Sequence, residues 1–374
     1  MPCTEHRAFL FDRGGENRIS EIYPLERVRW ERVRDDVSNA NLYSPLPDPR
    51  CHAALGNIEP GRHEIVVFRN GQRMWEGPVT LTTEQGRGIT IDARDVAHYC
   101  GRTIMRSGYK NAYPKTTYVT ERIEFIIRHE LARKEALEPS INVVKHLDVR
   151  TNKKTAKTSR TTKPYQSYVL DEMEHLAWRA GIDYTVIGRR IVINDVDDNI
   201  GEGPMITEAD FIGDIAITTY GMEMATYSAV TDGMGHWGAF GGNDAYYGQI
   251  ELLHSSYDED ADNQAATEMT KKELVAQAKR NMSGRFPAPV ILRVPQNSTL
   301  HAESVEKLMD FLVPGVRFPV RATNSFRQLE QIQKLDRVVF EETAAGESVQ
   351  ITLSPAPGET PWDDTGDTGP TGGA

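Results

Sequence analysis

The stretch Pro60–Asp92 constrains the fold more than any other part of this chain, because it reads as three antiparallel strands in succession. Ile65, Val66, Val67 and Phe68 are β-branched or aromatic and lead into Asn70-Gly71. That dipeptide suits a two-residue hairpin turn, whose central residues both take positive φ. Met74 and Trp75 begin the return strand, and Gly77-Pro78 marks a bulge or an edge. Val79 and Leu81 then alternate with Ile89 and Ile91 about a turn at Glu84-Gln85-Gly86. A second run of this kind lies near the C-terminus: Pro314-Gly315, a strand Val316–Arg321, a strand Arg337–Phe340, a turn Thr343–Gly346 and a strand Val349–Leu353. The order Pro-Gly, strand, loop, strand, Gly turn, strand thus occurs twice. A duplicated module gives that pattern, and so do two unrelated meanders.

The N-terminal residues extend the first run. Ala8–Phe11 and Ile19–Tyr23 flank Arg13-Gly14-Gly15, Val28 and Trp30 alternate with arginines, Asp35-Asp36 turns, and Val37–Tyr43 follows. Pro45, Pro47 and Pro49 break the pattern before a helical turn, Arg50–Leu55. About seven short strands with polar turns pack most simply as a small barrel or sandwich. Beyond Gly101 the pattern becomes helical. Thr120 caps a helix with Ile123, Ile127, Leu131 and Ala132 in one stripe, and Ser167–Ala180 is a second helix ended by Gly181. Tyr184–Ile187 and Arg190–Ile193 form a hairpin about Gly188-Arg189. Strands resume at Phe211–Thr219 and Glu223–Val230, with another at Tyr246–Glu251 after a glycine-rich loop Gly233–Gly242. A helix Gln264–Met282, a strand Val290–Val294 and a short helix Ala302–Leu312 precede the second run.

The expected fold class is α+β, mainly β: two related small antiparallel β-barrel modules, with an α/β domain inserted between them and a helical insertion in the second. The first module takes residues 1–105, the inserted α+β domain 106–203, and the second module 204–355 with its helical insertion 258–284. Residues 356–374 form a flexible Pro/Gly-rich tail.

Composition bears on function. A net charge of −11 argues against general nucleic-acid affinity, which needs an excess of lysine and arginine. Cys3, Cys51 and Cys100 are too few and too scattered for a disulfide framework or a zinc knuckle. No stretch is apolar for long enough to span a membrane, and the N-terminus lacks the apolar core of a signal peptide. The basic run Lys145–Lys163 reads as a solvated connection, with contact to DNA or an acidic wall polymer as the alternative.

Three motifs imitate chemistry without completing it. Gly233-Met-Gly235-His-Trp-Gly238 matches the dinucleotide fingerprint by letter, but Ala239-Phe240-Gly241-Gly242 is a poor start for the helix that must hold the pyrophosphate. His129-Glu130 begins like a zinc-protease helix, yet Arg133 stands where the second histidine must lie. Asp258, Asp260 and Asp262 resemble a calcium loop, with Asn263 in place of its glycine and Met269 in place of its glutamate. Trp237, Tyr246 and Tyr247 are expected in core packing or at strand edges, with stacking on sugars as the alternative. Trp30 and Trp75 belong to the core of the first module. No catalytic, cofactor-binding or metal-binding residue is assigned, no cofactor is expected, and the chain is expected not to be an enzyme.

A resemblance adds to this. Arg29-Trp30, Asp36-Val37-Ser38-Asn39-Ala40, Pro60-Gly61-Arg62-His63-Glu64-Ile65, Val67-Phe68-Arg69-Asn70-Gly71 and Trp75-Glu76-Gly77-Pro78-Val79 resemble minor tail proteins of actinobacterial siphophages. So do Ala177–Val186, Glu208-Ala209-Asp210-Phe211, Tyr246–Glu251 and Leu312-Val313-Pro314-Gly315. These packing and turn motifs run from about Arg27 to Pro355. That family is similar to the baseplate-hub, or tail-hub, proteins of long-tailed phages. The resemblance implies a homotrimeric ring at the distal end of the tail tube, two β-barrels per subunit in quasi-sixfold array, and a conduit for the genome. It implies contacts with the distal tail protein, the tape measure protein and other tail-tip proteins, passage of DNA without specific binding, and no membrane anchor. The virion tail is the expected location, after assembly in the host cytoplasm. Some hubs carry a peptidoglycan hydrolase further along, and none is expected here. A receptor- or carbohydrate-binding tail-tip protein is the alternative. Glycine at Gly366, Gly369 and Gly372 has collagen-like spacing, but so short a run cannot hold a trimer by itself.

Overall fold

The computed structural model describes residues 5–45, 55, 57–86, 88–109, 118–134, 147–151, 163–180, 182–195, 200–213, 216–219, 221–233, 235–255, 271–282, 285–286, 290–293, 299–323 and 329–356. The expected helical turn at Arg50–Leu55, the basic run, the Asp258–Asp262 segment and the C-terminal tail lie wholly or largely outside these residues.

Seven strands open the chain: β1 (His6–Phe11), β2 (Arg18–Glu21), β3 (Arg27–Val33), β4 (Asn39–Pro45), β5 (Glu64–Arg69), β6 (Gln72–Gln85) and β7 (Gly88–Arg94). They pair antiparallel in the order β3-β4-β7-β6-β5-β1-β2. Asn70-Gly71 joins β5 to β6 with both residues at positive φ, as the dipeptide predicts. Alternation along the strands sends Leu10, Trp30, Leu42, Ile65, Val67, Trp75 and Ile91 into one core. Both tryptophans are therefore where the pattern puts them. Gly77 makes no bulge in the pairing with β5; a side chain there would collide with the backbone of Arg94.

The elements that directly follow β7 leave this sheet. The helices α1 (Val119–Ala132) and α2 (Val169–Ala180) and the strands β8 (Asp148–Thr151), β9 (Ile182–Ile187) and β10 (Arg190–Asp195) form an α+β unit, with β10 between the other two strands. It has its own core, built on Ile123, Ile127, Met173, Tyr184 and Ile191. The chain enters α1 extended at Tyr118, so Thr120 lies inside the first turn and does not cap it.

The second half contributes β11 (Ile206–Thr207), β12 (Phe211–Ile212), β13 (Ala216–Thr219), β14 (Tyr227–Thr231), β15 (Trp237–Gly241), β16 (Glu251–Ser255), α3 (Lys271–Met282), β17 (Val290–Arg293), β18 (Thr299–Leu300), α4 (Ala302–Leu308), β19 (Arg317–Ala322), β20 (Leu329–Thr343) and β21 (Gly346–Pro355). The meander β19-β20-β21 repeats the order and pairing of β5-β6-β7, although β5–β6 has a bulge at Val67–Phe68 that β19–β20 lacks. In each the middle strand is the long one, and a single residue, Asp336 or Thr80, bulges from its pairing with the third strand. The Gly61 amide donates to the Val79 carbonyl at 2.8 Å, and the Gly315 amide donates to the Leu335 carbonyl at the same distance. Both glycines hold positive φ, +83° and +95°.

The class is α+β, mainly β, but the expected pair of separate barrels is drawn differently. The described strands of both halves join in one 13-stranded sheet, and none of the sheets is closed into a barrel. The cause is the length of β20. Leu329–Lys334 pair with β19, Arg337–Glu342 continue along the same edge with β3, and β21 takes the other edge. One core runs across the join. A strand at Arg337–Phe340 is only the second half of β20.

Candidate functional site

The join between β3 and β20 is held by a stacked aromatic pair and by several hydrogen bonds and ion pairs. Trp30 and Phe340 stand directly opposite each other, and their rings stack 4.1 Å apart with planes 8° from parallel. The Trp30 indole N–H donates to His6 Nε2 at 3.1 Å, while the His6 amide donates to Glu342 Oε2 at 3.0 Å and His6 Nδ1 bonds the same carboxylate. A neutral imidazole with its proton on Nδ1 satisfies both contacts. Burial lowers the His6 pKa against the pull of Glu342 and Glu347, which agrees with that state. Beside it Arg69 clamps Glu347 at 2.7 and 2.8 Å and reaches Glu306 at 2.6 Å. Arg27 bonds Glu341 at 2.8 Å, and Arg337 bonds Glu31, across the same join.

Two further polar clusters fix the α+β unit to the sheet. Arg34 reaches Asp183 of β9 at 3.2 Å and Asp336 of β20 at 2.6 Å, and Lys334 bonds Asp183 as well. Asp35 exchanges bonds with Tyr184, and burial together with Asp183 pushes its carboxyl up to about 7. At the β9–β10 turn Arg189 meets the fully buried Glu64 at 2.5 Å, which also accepts from the Tyr99 hydroxyl at 2.5 Å and the Gly14 amide at 2.9 Å. Such networks fix geometry, because removing one partner strands a buried charge.

The residues singled out from the sequence have plain structural roles. Glu130 is buried and takes Arg133 at 2.7 Å, the Ser107 amide and the Tyr109 hydroxyl at 2.9 Å each, and the Arg106 amide at 3.3 Å. Burial raises its pKa, but these donors together bring it below the ordinary value. Burial pushes the Cys100 thiol up to about 12, far from a reactive thiolate. Among the described residues no group of three His, Cys, Asp or Glu could hold a metal ion. The Gly233–Gly238 motif turns β14 into β15, so a strand follows it where nucleotide binding needs a helix. Its last glycine has another use: a Cβ on Gly238 would come within 2.6 Å of the Val275 amide nitrogen, so glycine lets α3 lie on β15.

Trp237, Tyr246 and Tyr247 correct the expectation of core packing, while Trp237 does lie on an edge strand, β15. They are 59, 93 and 55% exposed. The small sheet β15-β14-β16 turns Val230 and Phe240 toward Leu274 and Ala278 of α3. Cross-strand pairing then sets Trp237, Ala239, Ala229 and Leu253 together on the opposite, uncovered face. The expected strand Tyr246–Glu251 begins only at Glu251. Asp244 Oδ1 accepts the amides of Tyr246 and Tyr247 at 2.8 and 2.9 Å, which bends this stretch into a turn. An Asp two residues ahead of Tyr-Tyr-Gly was the available signal.

No protein-family model matches the sequence, and no curated protein matches it. Solved structures do match in fold. The 43 kDa tail protein of prophage MuSo2 from Shewanella oneidensis aligns over 94% of this chain and 97% of its own, with a TM-score of 0.60 at 13% identity. The prophage tail protein gp18 from Listeria monocytogenes EGD-e aligns over 94% and 95%, with a TM-score of 0.56 at 8% identity. The tail protein from Neisseria meningitidis MC58 aligns over 93% and 96%, with a TM-score of 0.53 at 12% identity. The fold of this chain is thus shared with phage tail proteins.

Proposed function

We propose that this chain is a structural subunit of a phage tail, a hub that joins the end of the tail tube to the tail tip. The observation that carries this is the two-way coverage of the fold match. Nearly all of this chain and nearly all of the Shewanella tail protein align, so the whole architecture is common to both and not a single module. The distal position, the trimeric ring of paired barrels and the contacts with distal tail, tape measure and tail-tip proteins rest on the sequence resemblance to minor tail proteins of actinobacterial siphophages. In such a ring the −11 charge suits a passage that DNA crosses without sticking. A structural role also suits the closed ion-pair networks and the capture of Glu130 by Arg133. On this proposal the chain is not an enzyme.

Gold-labelled antibody against the chain should mark virions at the distal end of the tail. Label along the tube or on the head, or unlabelled virions, overturns the proposal. A second function, receptor or carbohydrate binding at the tip, is favoured by one observation, the open face with Trp237 and its neighbours. Purified chain that binds host cells, and loses them on Trp237→Ala, would give it precedence.

A further inference from the structure

We propose that the α+β unit carries a docking surface for an anionic phospholipid membrane, formed where residues 102–106 lie beside Tyr165 and Tyr168. The binding follows from the surface itself. Its setting, a tail end that meets a host cell, rests on the function proposed above.

Residues 102–106 run along the stretch that leads into α2. Ile104 pairs antiparallel with Tyr168, the Met105 amide donates to the Ser167 carbonyl at 3.0 Å, and the Val169 amide donates to the Thr103 carbonyl at 2.8 Å. Alternation then decides which side chains share a face. Thr103 and Met105 are buried, Met105 in the core of the unit, while Arg102, Ile104 and Arg106 are exposed. Residues directly opposite in an antiparallel pair point the same way, so Tyr168 stands with Ile104 on that outer face. Tyr165, whose amide donates to the Met105 carbonyl at 2.6 Å, is 70% exposed. From the end of α1, Lys134 donates to the Arg102 carbonyl at 2.7 Å and Arg133 donates to the Ile104 carbonyl. Two tyrosines and an isoleucine are thus exposed among cations.

That positive charge is uncompensated, in a chain whose net charge is −11. Elsewhere exposed arginines meet carboxylates, as Arg7 meets Glu21 and Arg321 meets Glu330, each at 2.8 Å. Among the described residues Arg94, Arg102, Arg106 and Lys163 have no such partner. Two nearby carboxylates are already engaged. Glu130 is buried and holds Arg133, and Asp171 accepts the Tyr168 amide at 2.9 Å. The cations act on one another instead. Beyond the effect of burial, Arg13, Arg133 and Arg102 lower the Lys134 pKa, and Arg94 and Arg102 lower that of His98.

Charge complementarity calls for an anionic partner, and the apolar groups select among anionic partners. A phosphate polymer surrounded by water gains little from an exposed isoleucine. A bilayer interface takes up tyrosine rings and an aliphatic side chain at headgroup level, and its phosphates and anionic headgroups receive the guanidinium groups. Such contact stays at the surface, and no described helix is long and apolar enough to cross a membrane. The acidic remainder of the chain is repelled by the same lipids, which turns this face toward them.

The test is sedimentation of the full chain with vesicles of phosphatidylglycerol and phosphatidylcholine in equal parts. The chain should sediment with them at physiological salt, be released at about 0.5 M salt, and ignore vesicles of phosphatidylcholine alone. Arg102→Gln together with Arg106→Gln should weaken binding on the order of 25-fold, about fivefold for each charge, without moving the melting temperature. Arg321→Gln removes the same charge elsewhere and should leave binding unchanged. Tyr165→Asn should weaken binding several-fold; asparagine tolerates the positive φ of that residue, +61°. With Cys3 and Cys51 changed to Ser, a polarity-sensitive dye on Ile104→Cys should shift its emission to shorter wavelength when the anionic vesicles are added. Three results overturn the proposal: equal binding to phosphatidylcholine alone, vesicle binding that the arginine pair leaves intact, or binding of oligothymidylate or polyglycerol phosphate with no vesicle binding. None of them moves the virion label, so the tail-subunit proposal stands or falls separately.

Discussion

The main sheet and the small sheet β15-β14-β16 each place a tryptophan on a strand next to an aromatic-rich neighbourhood, and they treat it in opposite ways. Trp30 has no exposed surface, stacks on Phe340 and spends its indole N–H on His6. Trp237 lies on the side of its sheet that α3 does not cover and stays mostly exposed. The core between α3 and the small sheet is correspondingly slight, with Val230, Leu274 and Ala278 buried and Phe240 packed against them. An aromatic in a strand thus says little about its role until the other layer is known. In the main sheet the aromatics hold two halves together, and in the small sheet they are left available for contact.

The largest effect expected from this contrast is at the join. Trp30→Ala should cost about 3–5 kcal/mol, since it removes a fully buried indole and leaves His6 without its donor. Denaturant unfolding of the variant measures it. A cost below about 1 kcal/mol would mean that the join is not where the two halves gain their stability, and the contrast would lose its first term.

A smaller effect separates the two regions by pH. Burial pushes the Asp95 carboxyl up to about 6 although the Ser38 amide and hydroxyl and the Ala97 amide donate to it at 2.7, 2.5 and 2.9 Å. Its folded pKa lies above the unfolded one, so its contribution to stability is complete below about pH 4 and is lost as pH rises through about 6. Relative to Asp95→Asn, which does not titrate, the wild type should lose on the order of 1–3 kcal/mol between pH 4 and 7. Asp244 in the small sheet has the opposite sign. The amides of Tyr247 and Tyr246 lower its pKa, so its contribution is present above the ordinary carboxylate range and fades as pH falls through the lowered value. Chemical denaturation across pH of the wild type, Asp95→Asn and Asp244→Asn checks both directions. Equal pH dependence in all three would erase the distinction.

Local patterns made the meanders legible and left their assembly hidden. Asn70-Gly71, the Gly188-Arg189 turn and the alternation around Trp75 are decided by neighbouring residues, and the structure has them where the pattern puts them. The first half of β20, Leu-Glu-Gln-Ile-Gln-Lys, does not read as a strand because most of its residues are polar; its pairing with β19 comes from tertiary contact. The bridging role of β20 also depends on β3, about three hundred positions away in sequence. The open face of the small sheet was illegible for a related reason. Trp237 reads as part of a glycine-rich loop and Tyr246 as part of a strand; the placement of α3 on the other side of the sheet leaves Trp237 exposed, and the turn held by Asp244 leaves Tyr246 so.

The smallest effect is the most discriminating. Trp237→Ala and Tyr246→Ala remove the same chemical groups that the core cannot spare, yet Tyr246→Ala should change stability by no more than about 0.5 kcal/mol and Trp237→Ala by no more than about 1 kcal/mol, because Tyr246 is almost wholly exposed and Trp237 keeps more than half of its surface in water. Tyr246 is held by its backbone amide to Asp244, a contact that alanine keeps. A thermal melt within a degree or two of the wild type is the expected result for a domain of this size. If instead Trp237→Ala destabilises the chain by about 2 kcal/mol or more, the indole is covered in solution by some part of the same chain, and the small sheet belongs with the main one as a packing element. If stability is unchanged while an association of the chain weakens, the uncovered face is a contact surface, and the opposition between the two tryptophans holds in function as well as in burial.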